Sequence, residues 1–261
     1  MRRHFCELGP LAWKLAVLRC HAGRVLRDRL AGVRFAETRG AALPVCVYVH
    51  ASLIRRRLGN VDMRLQENKA VNLALAAPRL DGILIRPGET FSFWRLVGAC
   101  TAEKGYREGL VIRGGAPGTG VGGGMCQMTN LIHWMALHSE LTIAEQHHHD
   151  QLDLFPDYGR QIPFGTGTSV ACDALDYRLY NGTARTYQLR VRVDGAYLRG
   201  ELRADGEQPV RYHVHAEDEC FVEEPEGTFR CGRVIRTGID RRTGATLSRE
   251  LLRENHARVM Y

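Results

Sequence analysis

The sequence predicts an α+β domain: a mixed or antiparallel sheet with a few helices, a glycine-rich loop leading into a central helix, and a strand-rich C-terminal half. Three observations carry that class. Apolar residues recur at helical spacing in segments 63–77 and 125–138. Between 169 and 202 the runs YRLYN, YQLRVRV and YLRGELR alternate in strand fashion, with Asn181-Gly182 and Asp194-Gly195 as turn dipeptides. Helical segments come early, strands come late and no internal repeat is visible, which sets the chain apart from the regularly alternating α/β class. With 261 residues, 44% hydrophobic and 25% charged, the chain can bury a substantial core, and disordered or fibrous architectures are excluded.

In chain order, Leu11, Leu15, Leu18, Val25 and Leu26 fall roughly on one side of a basic amphipathic helix. Segment 44–54 is β-rich. In 63–77, Leu65, Val71, Ala74 and Leu75 make a helical stripe that Pro78 is expected to end. Segment 82–85 reads as a strand, Pro87-Gly88 as a tight turn and 90–94 as the return strand. A short strand over 110–113 precedes segment 114–124, whose seven glycines suggest a free loop. Met128, Leu131, Ile132, Met135 and Ala136 form the buried stripe of the next helix, and 141–154 looks extended. The last fifty residues hold short strands, a turn at Arg242-Thr243-Gly244 and a polar tail. The expected division is a basic arm and first strand over 1–57, a core over 58–205, and a strand-rich extension over 206–261 packed on it.

The net charge of +7 is uneven. Residues 1–57 carry 12 Lys and Arg against three acids, a net +9, so the remainder is slightly acidic. No zinc-finger spacing or RNA-binding aromatic motif accompanies the basic segment, so no nucleic-acid partner is expected. The arm is expected to be a docked helix with a solvated arginine face, with contact to the inner face of the plasma membrane as the alternative. Eight cysteines without a C-x-x-C pair, and no uninterrupted apolar leader, point to reduced thiols in the cytoplasm.

The strongest chemical signal is Gly122-Gly123-Gly124-Met125-Cys126-Gln127. A cysteine in the first turn of a helix, behind glycines that let a ligand approach the backbone, sits where free N–H groups and the helix dipole favour a thiolate and an oxyanion. His147 and His149, on one face of the extended segment downstream, could supply the base. Simple packing of Cys126 is the competing explanation. A zinc site from Cys126, His147 and His149, with Asp150 or Asp153 behind them, is the weaker alternative, and no H-E-x-x-H element supports it. No metal or other cofactor is expected. Gly118, Gly120 and Gly123 match a dinucleotide fingerprint formally, without the βαβ continuation it needs. Glu89, held in a tight turn beside aromatics, could act as a general acid on a glycan.

The chain resembles the VanW family through Gln66-Glu67-Asn68-Lys69, the run RPGETFSFWRLV from Arg86 to Val97, the run GGGMCQMTNL from Gly122 to Leu131, and the segment from His149 to Phe155-Pro156. The run PFGTGTSV from Pro163 to Val170, with Asp176 and Asn181 beyond it, resembles the short single-domain members. The resemblance covers about residues 34–203. It implies association with glycopeptide resistance and cell-wall peptidoglycan, without an established reaction, and it singles out Glu89, Cys126, Gln127, His147 and His149. Many members carry Asp-Ala-Thr where this chain has Gly167-Thr168-Ser169, so Asp150, Asp153 or Asp173 would have to orient the histidine. The expected function is a thiol hydrolase or transferase acting on a peptidoglycan peptide or precursor. Cys126 would be the nucleophile, His149 or His147 the base, and Gly122, Gly123, Gly124, Gln127, Asn130, Trp94 and Glu89 the substrate contacts. The alternatives are a non-catalytic module binding wall precursor and a Glu89-dependent glycan-cleaving enzyme.

Overall fold

The computed structural model describes residues 10–57, 62–113, 116–148, 152–154, 156, 162–172 and 174–261. Helix α1 (Pro10–Leu30) leads into strands β1 (Arg34–Phe35) and β2 (Val45–Leu53), helix α2 (Met63–Leu80), strands β3 (Ile83–Ile85) and β4 (Glu89–Ser92), and the short helix α3 (Phe93–Val97). Next come the ribbon β5 (Glu108–Arg113) and β6 (Ala116–Val121), helix α4 (Met125–Ala136), and strands β7 (Thr142–Glu145), β8 (Leu152–Asp153) and β9 (Arg178–Tyr180). The chain ends with β10 (Tyr187–Asp194), β11 (Tyr197–Ala204), β12 (Val210–Glu224), β13 (Gly227–Asp240) and β14 (Thr246–Val259). The fold is α+β, with its C-terminal half built from strands.

The central sheet has strand order β2-β11-β10-β3 and is antiparallel. Tyr187, Leu189 and Val191 of β10 pair with Ala204, Leu202 and Gly200 of β11, so these residues share one face, on which α2 and α4 lie. Gly200 is required there. A Cβ at this position would come within 2.6 Å of the Met135 Cε and 2.9 Å of the Leu131 Cδ2, so its absence lets α4 settle onto the sheet. Helix α4 is buried on nearly every side, which explains its high apolar content. A second sheet has order β1-β4-β9-β7. The third, β12-β13-β14-β8, packs Val214 and Val234 against Trp134 and Leu137 at the end of α4. Cys220 and Cys231 stand opposite each other in its β12–β13 register, and every cysteine among the described residues is a free thiol.

Several local expectations change. Pro78 lies inside α2, because in the last turn its missing N–H removes a single bond while the Asp81 N–H still closes on the Ala77 carbonyl at 3.0 Å. The turn at Pro87-Gly88 joins β3 of one sheet to β4 of another and makes no hairpin. The return strand stops at Ser92, whose hydroxyl accepts the Arg95 N–H and starts α3. Residues 116–121 of the glycine-rich segment are strand, paired along their length with β5. Asn181-Gly182 likewise joins two sheets, whereas Asp194-Gly195 is the β10–β11 hairpin turn. The polar tail is β14, whose alternation is hidden because most of its residues are exposed.

Candidate functional site

Helix α2 builds the platform for the glycine loop. The Asn72 side-chain amide donates to the Gly123 and Arg107 carbonyls, both at 2.9 Å, and its Oδ1 accepts the Arg107 N–H at 2.8 Å. Asn68 donates to the Glu108 carbonyl at 2.8 Å. The aliphatic stem of Lys69 crosses Gly124, where an added Cβ would lie 2.3 Å from the Lys69 Cγ. Gly124 caps α4 with φ 99°, and Gly122 has φ 78° against Cys100, so both positions need glycine for backbone and for space. Gly118 and Gly120 belong to β6, which pairs antiparallel with β5 in a two-stranded ribbon and is not part of a parallel βαβ unit.

Cys126 is in the first turn of α4, as its sequence position implies. Burial pushes its thiol above the ordinary range, and this outweighs the Val170 backbone N–H that reaches it. Gln127 donates to the Ser52 hydroxyl at 2.8 Å and the Leu53 carbonyl at 2.9 Å, tying α4 to the end of β2. Its Oε1 is buried without a hydrogen-bond partner among the described residues. One turn on, Thr129 meets the Thr168 hydroxyl at 2.5 Å, and the Asn130 Oδ1 accepts the Thr168 N–H at 2.6 Å and its hydroxyl at 2.8 Å. Segment 168–170 therefore runs alongside α4. On its far side the Ser169 N–H donates to the His147 carbonyl at 2.7 Å.

The histidines take different places. The His147 ring turns to Glu145, with Nε2 2.9 Å from Oε1. His149, Asp150 and Asp173 lie outside the described residues. Among the described residues no three histidine, cysteine or carboxylate side chains gather as a metal would need. His133, in α4, is fully buried, with Nδ1 3.0 Å from the Tyr177 hydroxyl and Nε2 3.0 Å from the Gln146 amide. Burial, reinforced by His148, pulls its pKa down to about 3, so the ring is neutral. A small cavity of about 50 Å³ opens beside it, lined in part by Gln146, His148, Thr166 and Arg253.

Glu89 and Trp94 serve the β4–α3 region. The Glu89 carboxylate accepts the Arg86 N–H at 2.9 Å and closes its own turn. The Trp94 indole donates to the Leu175 carbonyl at 2.9 Å. Neither makes a hydrogen bond to α4 among the described residues. Beside them is a charged cluster that no local pattern announces. Asp176 accepts the Ser92 hydroxyl at 2.6 Å, the Trp94 N–H at 3.0 Å, the Tyr177 N–H at 2.9 Å and the Arg178 Nε–H at 3.0 Å. Glu145 accepts Arg24 at 2.6 and 3.0 Å and the Asp176 N–H at 3.0 Å. Burial opposes its ionisation, yet Arg24, His147 and the Asp176 N–H together hold its pKa at about 2. Arg178 reaches Asp28 at 2.7 and 3.0 Å. Two ion pairs thus moor the second half of α1 to the body.

The site therefore belongs to an α+β protein whose buried central helix opens on a glycine turn and a cysteine. The family model described as VanW like protein matches residues 68–203, and the chain belongs to the VanW family. It is 34% identical over 234 residues to the vancomycin B-type resistance protein VanW of Enterococcus faecalis, covering 89% of this chain and 85% of that protein. It is also 30% identical over 132 residues to the uncharacterized protein YoaR of Bacillus subtilis, covering 51% of this chain and 42% of that one. No solved structure matches the chain.

Proposed function

We propose that this protein serves glycopeptide resistance, as the name of the Enterococcus relative says of that protein, and that it acts as a non-catalytic module binding a peptidoglycan peptide or its precursor. The binding face is the glycine turn before α4 together with the Gln127 side chain, with Cys126 only packing. The observation behind a binding role is the setting of Cys126: burial pushes its thiol pKa up where a nucleophile needs it down, segment 168–170 lies beside it, and the His147 ring is committed to Glu145. A thiol hydrolase or transferase using His149 is the second reading, and the Val170 N–H favours it, because a donor there stabilises a thiolate. Alkylation by iodoacetamide at pH 6.5, mapped by mass spectrometry, is expected to label exposed Cys20, Cys46 and Cys220 about tenfold faster than Cys126. Cys126→Ala is expected to leave resistance in the host unchanged. Preferential labelling of Cys126 with loss of resistance in Cys126→Ala would establish the thiol enzyme instead.

The proposal includes a place in the cell, the inner face of the plasma membrane. Arg24 and Asp28 face the body, while Leu15, Leu18 and Leu26 on another side of α1 are 51%, 63% and 58% exposed and are flanked by Arg19, Arg27 and Arg29. Apolar residues framed by arginine suit an anionic lipid surface. No helix among the described residues is long and apolar enough to cross a membrane. The protein is expected to sediment with phosphatidylglycerol vesicles and not with phosphatidylcholine vesicles, and to lose that binding when Leu15, Leu18 and Leu26 are changed to Glu. Failure to bind either vesicle would refute the membrane placement.

A further inference from the structure

Lys69 poses a physical problem that the fold leaves open. The residue is 8% exposed, and its Nζ donates to the neutral Gln66 Oε1 at 2.6 Å. No carboxylate pairs with it among the described residues. Its neighbours worsen its position: Arg55 and Arg56 add positive charge, and Gln66 Oε1 is shared with the Arg56 N–H at 3.4 Å. Burial first, then those two arginines, lowers the ammonium pKa to about 8, so at neutral pH it remains mostly charged. A desolvated cation without a counter-charge is costly, and Met would fill the same space without that cost.

The geometry around Lys69 indicates what the charge is for. Its stem lies across Gly124, the cap of α4, whose carbonyl accepts the Gln127 N–H at 3.0 Å. Gln127 in that first turn holds the end of β2 at Ser52 and Leu53, and Gln66 holds the chain three residues later at Arg56. Among the described residues the buried Gln127 Oε1 is an acceptor without a donor. The two unmet demands, a negative charge for Lys69 and an N–H for Gln127, thus belong to side chains anchored on the same stretch of chain. A peptide C-terminus offers both, a carboxylate and the amide N–H of the same terminal residue, whereas inorganic phosphate is chiefly an acceptor.

We propose that Lys69 and Gln127, at the start of α4, bind the C-terminal carboxylate and adjoining amide of a peptide ligand. This rests on the binding-module reading and names the chemical group that module recognises. Calorimetry with the full chain tests it, using acetyl-dialanine in its L,L and D,D forms, the corresponding C-terminal amides, and inorganic phosphate. At least one free carboxylate is expected to bind about tenfold or more tighter than its amide and than phosphate, and Lys69→Met is expected to lose that preference. Lys69→Met is also expected to keep or raise the melting temperature, the opposite of what a purely structural lysine would show, and Lys69→Arg checks that charge alone is insufficient in this confined position. Binding of the bound carboxylate is expected to raise the Lys69 titration midpoint, followed by NMR of its side-chain ¹³Cε. Equal binding of acid and amide, tighter binding of phosphate, no carboxylate binding at all, or unchanged binding by Lys69→Met would each overturn this assignment. None of these results would bear on the inertness of Cys126, which the alkylation experiment decides separately.

Discussion

Replacing Asp176 with alanine is expected to cost about 3–5 kcal/mol of stability. The carboxylate accepts four hydrogen bonds, from the Ser92 hydroxyl, the Trp94 and Tyr177 N–H groups and the Arg178 Nε–H, and it is almost fully buried. Alanine would leave those donors without their acceptor and Arg178 with one fewer counter-charge. Four donors lose their acceptor at once, which costs more than a single lost hydrogen bond, although Arg178 keeps Asp28 and Glu145. Burial acts against Arg178, yet Asp28 and Asp176 more than offset it and hold its pKa above the ordinary arginine value, so the guanidinium cannot escape by losing its proton. At this chain length the loss corresponds to a fall in melting temperature of roughly 10 °C. Asp176→Asn, which keeps the shape and removes the charge, should fall between the two. Urea titrations check this, and a loss below about 1 kcal/mol for Asp176→Ala would mean that the network contributes little. Because Arg178 also grips Asp28, the same change is expected to loosen α1 and to increase proteolysis there.

Acidification is expected to destabilise the protein well before its carboxylates are protonated. Burial lowers His133 to about 3 and lowers His138 to about 4, the latter against the Trp134 carbonyl, while both titrate near 6.5 in an unfolded chain. Between about pH 6.5 and 4 the unfolded state therefore binds up to two more protons than the folded state, and stability rises with pH in that window. The corresponding slope is up to about 2.7 kcal/mol per pH unit. Glu145 extends the loss further: its folded value of about 2 lies below the ordinary 4.5, so the stability it supplies is present above about pH 4.5 and disappears as pH falls towards 2. Urea denaturation at half-unit pH steps tests this. His133→Gln should reduce the slope between pH 6.5 and 4 by about one proton, and a flat profile in the parent protein would contradict the buried neutral histidines.

The helices α2 and α4 were legible because a 3.6-residue apolar period is written into one short segment, and the β10–β11 hairpin because Asp194-Gly195 fits its turn. The start of α3 was missed since Ser92 caps it inside an aromatic run that alternates like a strand. Glu145 carries no local signal, and Lys69 is one member of a motif. Their significance lies in partners 121 and 55 positions away, Arg24 and Gly124, with no periodicity to announce either. Cys126 is the clearest instance. Its place in the first turn followed from the glycines before it, whereas the upward push on its thiol comes from burial, which only the tertiary fold provides.

The amino-acid sequence was sufficient for the α+β class, the amphipathic helices, the turn before α4, the concentration of positive charge in the first 57 residues and the motifs of the VanW family, because each is a pattern within a contiguous stretch. Which side chains lose water and which charges find partners was settled by packing. Desolvation and ion pairing depend on distances between segments far apart along the chain. That is why the same folded arrangement buries the Cys126 thiol, neutralises His133, pairs Asp176 with Arg178, and leaves Lys69 without a carboxylate partner among the described residues.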